Sequence, residues 1–280
     1  MFSFLKKKKQ DPKAELQRVL GDYELPSFPG VVLDALAELR NPDGSSKSVG
    51  RILASDPNLT IRLLKLVNSG SGAVRRIDNV QQAVSLAGAS NLESLILAVG
   101  VQSSLPTGSA PGFDSGRFWG AAARRAATAR AFAKVLHPAT AMQSFTASLL
   151  QDMAVPMLAH RRPQDYGRIL EAWHGGEGTL EDMEQADLGW HHGEVATWLC
   201  DSWSLPESLA QIIGEHHDDD GVAPPGVLLV SRLRETEEHP GVDALVAVAE
   251  ERYGLSADRS ISILDEALGE AGDLARQLAA

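Results

Sequence analysis

The sequence predicts an all-α, multi-helix protein, and three observations predict it. Apolar residues recur at three- and four-residue spacing along nearly all of the 280 residues. No stretch alternates apolar and polar residues long enough to make a useful strand. The breaks in the periodicity fall on helix caps and stops, such as Asn41-Pro42-Asp43-Gly44 and Asp56-Pro57.

The elements follow in order. Val31, Val32, Ala35, Leu36 and Leu39 lie at helical spacing after Leu25-Pro26-Ser27-Phe28-Pro29. Ser45 or Ser46 caps a short helix carrying Val49, Ile52 and Leu53. Asp56 as N-cap and Pro57 at the first helical position start the next. Its expected buried stripe is Leu59, Leu63, Leu64, Leu66 and Val67, and Asn68-Ser69-Gly70 ends it. Asn79 and Gln82 form a capping-box pattern ahead of a helix ending at Gly88. Residues 91–105 read as a buried helix, and residues 106–112, rich in Pro, Gly and Ser, as an exposed connector. Residues 114–136 are alanine-rich, with Phe118, Ala122, Ala126, Ala129 and Ala133 on one side, where another helix can pack closely. Residues 139–150 follow, then a short acidic helix opened by Thr179. The next helix runs from His191 to Trp203, and Ser204 with Glu207 suggests a further capping box. All five tryptophans, Trp119, Trp173, Trp190, Trp198 and Trp203, lie in this half and read as core anchors. Ile261, Leu264, Leu268 and Leu274 mark an amphipathic helix near the end.

Composition narrows the function. At 44% hydrophobic and 22% charged residues the chain reads as a soluble globular protein. A net charge of −11 argues against nucleic-acid binding, which needs a basic footprint. The exception is Lys6, Lys7, Lys8 and Lys9 behind Phe2, Phe4 and Leu5. That run reads first as a solvated tail; the alternative is weak contact with an anionic membrane surface, at about 1 kcal/mol per lysine. No apolar run reaches the roughly 18–20 residues that span a bilayer. The single cysteine, Cys200, reads as a buried structural thiol and fits a reducing compartment, so a cytoplasmic location is expected. No P-loop, dinucleotide fingerprint or Gly-x-Ser-x-Gly is present. Gly70-Ser71-Gly72 reads as a helix C-cap and loop.

Several stretches stand in a specific order. They are Leu25-Pro26-Ser27-Phe28-Pro29, Asp56-Pro57-Asn58-Leu59-Thr60, Arg62 to Ser69, Val80-Gln81-Gln82-Ala83-Val84 and Leu86-Ala87-Gly88. In the second half come Phe118-Trp119, Leu149-Leu150-Gln151-Asp152, His192-Gly193-Glu194-Val195, Trp203-Ser204-Leu205-Pro206 and His216-His217. In this order the chain resembles the HDOD family of bacterial signalling domains, relatives of the HD metal-dependent phosphohydrolases. The resemblance implies an N-terminal helical subdomain, residues 21–105, packed on a degenerate HD-like bundle, residues 113–238. A flexible basic tail, residues 1–20, is expected before them and a C-terminal helical extension, residues 239–280, after them.

The resemblance also sets out what catalysis would need. An HD hydrolase uses a His…His-Asp…Asp cage to hold a metal that activates water. Laid on this sequence, the cage falls at Ala121, Gln151-Asp152 and Ser231, so of its ligands only Asp152 remains. Gln151 offers a weak neutral amide where an imidazole is needed. His192 and the pair His216-His217 match positions that bind a second metal in some HD relatives. Adjacent helical side chains point about 100° apart, so one histidine of each pair at most is expected to face a given centre. With Asp152 they could give a site of about three ligands; the preferred reading is that His192 and His217 are fold remnants, hydrogen-bonded between helices, with His191 and Asp218, Asp219 and Asp220 solvated. No metal, no cofactor and no catalysis are expected.

The function expected is a non-catalytic signal-transduction module acting through a protein partner, with Asp56, Arg62 and Asn68 on its interaction surface. That cluster and a second one, Asp152, His192 and His217, are expected beside one groove between the halves. The alternatives are a metal-dependent phosphohydrolase or cyclic-dinucleotide phosphodiesterase, and a nucleotide sensor that does not hydrolyse its ligand.

Overall fold

The structure is a computed structural model and describes residues 11–22, 24–69, 77–235 and 240–279. Lys6, Lys7, Lys8 and Lys9, and the Gly70-Ser71-Gly72 loop, lie outside the described residues. Among the described residues the chain forms sixteen α-helices and one small hairpin. The first half holds α1 (Pro12–Leu20), α2 (Gly30–Arg40), α3 (Ser46–Leu53), α4 (Pro57–Ser69), α5 (Val80–Ala87) and α6 (Ala89–Ser104). Strands β1 (Ser109–Ala110) and β2 (Phe113–Asp114) pair antiparallel, Ser109 opposite Asp114 and Ala110 opposite Phe113. The second half holds α7 (Ser115–Leu136), α8 (Ala141–Leu150), α9 (Ala154–Arg161), α10 (Asp165–His174), α11 (Leu180–Leu188), α12 (His192–Ser202), α13 (Glu207–Gly214) and α14 (Pro225–Val230). Then come α15 (Val242–Tyr253) and α16 (Ala257–Ala279). Among the described residues no helix is long and apolar enough to cross a membrane.

The helix starts follow from local chemistry. The backbone N–H of Ser48 donates to Ser45 Oγ, and those of Asn58 and Leu59 to Asp56 Oδ1. Asn79 Oδ1 accepts from Gln82 N and Thr179 Oγ1 from Asp182 N. Each satisfies a donor that the first helical turn leaves without a partner. The Ser204-Glu207 box does not form. Ser204 takes a left-handed φ of 54° just after α12, and Pro206 stands at the start of α13 without a side-chain cap.

Two further expectations change. Residues 12–20 are a helix rather than a flexible tail. Asp11 caps it by accepting from Lys13 N, Pro12 opens it, and Leu16, Val19 and Leu20 are buried, with α1 packed on α12. In α4, Leu59, Leu63, Leu66 and Val67 are buried, but Leu64 is only half-buried. At about 100° per residue Leu64 sits on the shoulder of the stripe centred on Leu63.

One apolar core runs through both halves. α6 packs on α8, and α16 lies along α7 and reaches α4, so the C-terminal helix is part of the fold rather than an appendage. Buried Ala122, Ala126, Ala129 and Ala133 give α7 the low-profile face that close helix packing needs. All five tryptophans are buried. Trp203 also ties the halves: its ring lies 5.5 Å from Phe28, and its indole N–H donates to the Pro26 carbonyl at 3.0 Å.

Leu63 is wholly buried, so Leu63→Ala is expected to cost about 2–5 kcal/mol, and Leu64→Ala less than half as much. Urea titration of both variants measures the difference. Equal losses would show that the buried stripe of α4 is misplaced.

Candidate functional site

Six elements and turns converge on a buried polar centre. α7 carries Arg125, one turn beyond buried Ala121. The turn after α8 presents Gln151 and Asp152. Tyr166 comes from α10, and Glu184 from α11, one turn after Leu180 on the same buried face. α12 opens with His192, and the turn after α13 holds His216 and His217. Two glycines allow α12 and α13 to come this close. A Cβ on Gly193 would lie 2.9 Å from the Gly214 carbonyl oxygen, and a Cβ on Gly214 would collide with Thr197 Oγ1.

The geometry is compact. Asp152 Oδ2 is ion-paired with Arg125, which is 2% exposed. Asp152 Oδ1 lies 3.3 Å from His216 Nε2 and 3.5 Å from His192 Nε2. His192 Nε2 is 3.2 Å from His216 Nε2 and 3.1 Å from His217 Nε2. Behind the rings, His192 Nδ1 is 2.6 Å from Glu184 Oε2, which also accepts the His192 backbone N–H at 2.7 Å. Tyr166 donates its hydroxyl to Glu184 Oε1. His216 Nδ1 lies 2.6 Å from the Ile213 carbonyl, and His217 Nδ1 3.8 Å from Glu181 Oε2.

His216 and His217 therefore both face His192, against the expectation that only one of them would. α13 stops at Gly214, so the two residues sit in a turn where helical side-chain angles no longer apply. His191 is not solvated either: it is half-buried, and its backbone N–H donates to Glu194 Oε2 at 3.4 Å where α12 opens. Asp219 is paired with Arg232 and Arg252, and Asp220 with Arg252.

Charge at the centre is strongly organised. Burial alone would raise the Asp152 pKa. Arg125 and hydrogen bonds from His192 and His216 outweigh it and hold the carboxyl well below its ordinary range. Burial alone would depress His192, but the Glu184 charge and hydrogen bonds to Asp152 and Glu184 push it up to about 10. Burial depresses His216, helped by the neighbouring His192 charge. Burial, then His216 and His192, hold His217 well below its usual value. Burial and Glu184 keep the Tyr166 hydroxyl protonated.

Ala121, Gln151 and Ser231, where the resemblance leads one to expect the remaining cage positions, carry no strong donor. Ala121 is buried in the α7 packing face. Gln151 is 1% exposed, and its Oε1 has no hydrogen-bond partner among the described residues. Ser231 turns its hydroxyl back to the Leu228 carbonyl at 2.8 Å. Cys200 is buried, and burial pushes its thiol far up, which makes it a poor nucleophile.

Asp152, His192 and His217 open onto a cleft of 350 Å³ that is also lined by Arg125, Ser231 and Arg234. Asp56 and Arg62 line a different groove of 870 Å³, between α4, the hairpin and Trp119. The two share no lining residue, so the clusters do not meet in one groove. Asp56 is spent on capping α4. Asn68 braces its own half, donating to Leu64 O and Ile77 O and accepting from Ile77 N. Arg62 is exposed.

The sequence reading missed Arg125, Glu184 and Tyr166. Signals existed for the first two. Arg125 interrupts an alanine-rich buried face four residues after Ala121, and Glu184 stands between Leu180 and Leu188 at helical spacing. For Tyr166 no sequence signal stands out.

Comparison with known proteins agrees with this architecture. The HDOD domain family matches residues 25–219. A Treponema pallidum (strain Nichols) protein of uncharacterized function is 26% identical over 199 residues, which are 70% of this chain and 38% of that longer protein. Among solved structures, a Shewanella amazonensis SB2B protein provisionally named a phosphohydrolase has a TM-score of 0.74 at 21% identity, covering 95% of this chain and 98% of its own. A Geobacter sulfurreducens HDOD domain protein of unknown function gives 0.71 at 21% identity, covering 95% of each. A Marinobacter aquaeolei VT8 protein provisionally named for signal transduction gives 0.73 at 17% identity, covering 96% of this chain and 66% of its own. At these identities the structures share the fold.

Removing one partner of a buried ion pair leaves an uncompensated charge. Arg125→Met in chelator-treated protein is therefore expected to cost about 3–5 kcal/mol by urea titration. A loss as small as that of an exposed pair, under about 1 kcal/mol, would show that Asp152 does not depend on Arg125.

Proposed function

The chain belongs to the HDOD family, and on that premise we propose that it is a non-catalytic regulatory module that relays a signal by binding another protein. One observation carries the reading: the single carboxylate left of the hydrolytic cage is paired with a buried guanidinium. A cage metal would have to take Asp152 Oδ2 from Arg125 and find further donors at Ala121, Gln151 and Ser231. An alanine offers none, and an amide and a hydroxyl offer weak ones. Without a metal at that position, phosphoryl chemistry lacks both its Lewis acid and its activated water. The exposed Arg62 on the groove between the halves is the residue best placed to meet a partner. Arginine is enriched where interfaces concentrate their binding energy.

The reading is tested in two ways. The full chain, given Mn²⁺ or Fe²⁺, is expected to hydrolyse neither bis(p-nitrophenyl) phosphate nor cyclic dinucleotides above a protein-free blank. Turnover that disappears in Asp152→Asn would overturn the reading and favour the phosphodiesterase alternative. A partner identified by co-purification is expected to bind Arg62→Ala at least about 10-fold more weakly, with the variant still folded. Unchanged binding would remove Arg62 from the working surface.

A further inference from the structure

We propose that the groove beside α4 receives an acidic segment of a partner protein, one that carries an apolar side chain next to its carboxylates. This rests on the regulatory reading above and names the chemistry of the partner that meets Arg62. The groove has a volume of 870 Å³ and runs between α4, the end of α6, the hairpin and the start of α7. Its α4 wall is one continuous patch. Asn58, Ile61, Arg62 and Lys65 stand at three- and four-residue spacing, so they are neighbours on one helix face. All four are exposed, and Leu59, Leu63, Leu66 and Val67 turn the other face into the core. Ile61 is 53% exposed and shares with Val222 the highest exposure of any large apolar side chain among the described residues.

The cations of this patch are unspent. Among the described residues Arg62 and Lys65 make no ion pair or hydrogen bond, whereas Arg40, Arg117, Arg125, Arg232 and Arg252 are all paired with carboxylates. That is unusual company in a chain of net charge −11, where acidic groups outnumber basic ones. The two carboxylates on the groove are held elsewhere. Asp56 Oδ1 accepts from Asn58 N and Leu59 N at the start of α4. Asp114 Oδ1 accepts from Arg117 N at the start of α7, and its Oδ2 from the Ser109 hydroxyl at 3.3 Å. Each therefore sits at a helix N-terminus, where the helix dipole offsets about half a negative charge.

Three properties of the groove select its occupant. Two adjacent unpaired cations are complementary to carboxylates and steer an acidic chain toward the groove. The exposed Ile61 beside them gains by being covered with apolar surface, which a bare inorganic anion does not offer. The concave shape admits a protruding chain segment and keeps Arg62, Lys65 and the hairpin from lying together on a flat lipid surface. Nucleic acid would bring the same negative charge, but the net charge of −11 over the whole chain repels its phosphate backbone.

The full chain is panned against a phage-displayed library of random peptides about 12 residues long, and a recovered peptide is labelled with fluorescein for anisotropy titration. Recovered sequences are expected to combine several Asp or Glu residues with Leu, Ile or Phe. The labelled peptide is expected to bind the double variant Arg62→Glu/Lys65→Glu at least about 10-fold more weakly, and Ile61→Ser about 3- to 10-fold more weakly. Raising NaCl from about 0.05 to about 0.5 M is expected to weaken binding to the parent chain more than to the double variant. All three side chains are exposed, so the variants are expected to melt with the parent. Sequences without acidic bias, or affinity unchanged by the charge reversal, would overturn the proposal. So would capture of vesicles with about 30% phosphatidylserine, or of poly(U) RNA, through Arg62 and Lys65 in place of peptides. Self-association of the parent chain that the double variant abolishes would put a second copy in the groove and overturn it as well. If a co-purified partner loses affinity in Arg62→Ala while the peptides show no acidic bias, the regulatory reading keeps its surface and the chemistry proposed for the partner fails.

Discussion

Asp152 is a carboxylate carried into the protein interior on the turn after α8, and the second half of the molecule is arranged around its charge. An ionised carboxylate removed from water costs several kcal/mol unless positive charge and hydrogen bonds replace the lost hydration. Arg125 supplies the charge from α7, and His192 and His216 supply hydrogen bonds from α12 and the turn after α13. Each of these groups then needs its own support. Glu184 holds His192, Tyr166 holds Glu184, and the Ile213 carbonyl holds His216. The chain of requirements ties α7, α10, α11, α12 and α13 to one another.

The backbone makes this arrangement possible before any side chain takes part. Gly193 and Gly214 bring α12 and α13 into contact, and the stop at Gly214 frees His216 and His217 from helical angles. The alanine face of α7 admits α16 on one side and α8 on another, which sets Arg125 at the depth of Asp152. The first half is tied on by the Trp203 indole and the reach of α16 to α4, and its groove shares no lining residue with the cleft at the site. α7 lines both the cleft at the centre and the groove, through Arg125 and Trp119.

Much of the fold was legible residue by residue. Asp56, Asn79 and Thr179, read as caps, are caps, and Ser45 is the cap of the Ser45-Ser46 pair, because a cap is a bond to a backbone group two or three positions away. The burial of all five tryptophans follows from the size of an apolar ring. Local spacing misled where a neighbour decided the outcome. Leu64 lost its place to a stripe centred on Leu63, Ser204 took a left-handed turn instead of capping α13, and α1, capped by Asp11 and opened by Pro12, packs its apolar face on α12.

The sequence by itself determined the helical class and the family, since each rests on residue identity and short-range order. Only the tertiary structure decided what Asp152 does with its charge and whether the histidines meet. Arg125, Asp152, Glu184, His192, His216 and His217 are spread over five helices and turns, and spacing along the chain says nothing about their distances in space. Helix formation is a contract between residues three or four apart, whereas the compensation of a buried charge is settled by whichever groups packing brings within a few ångströms.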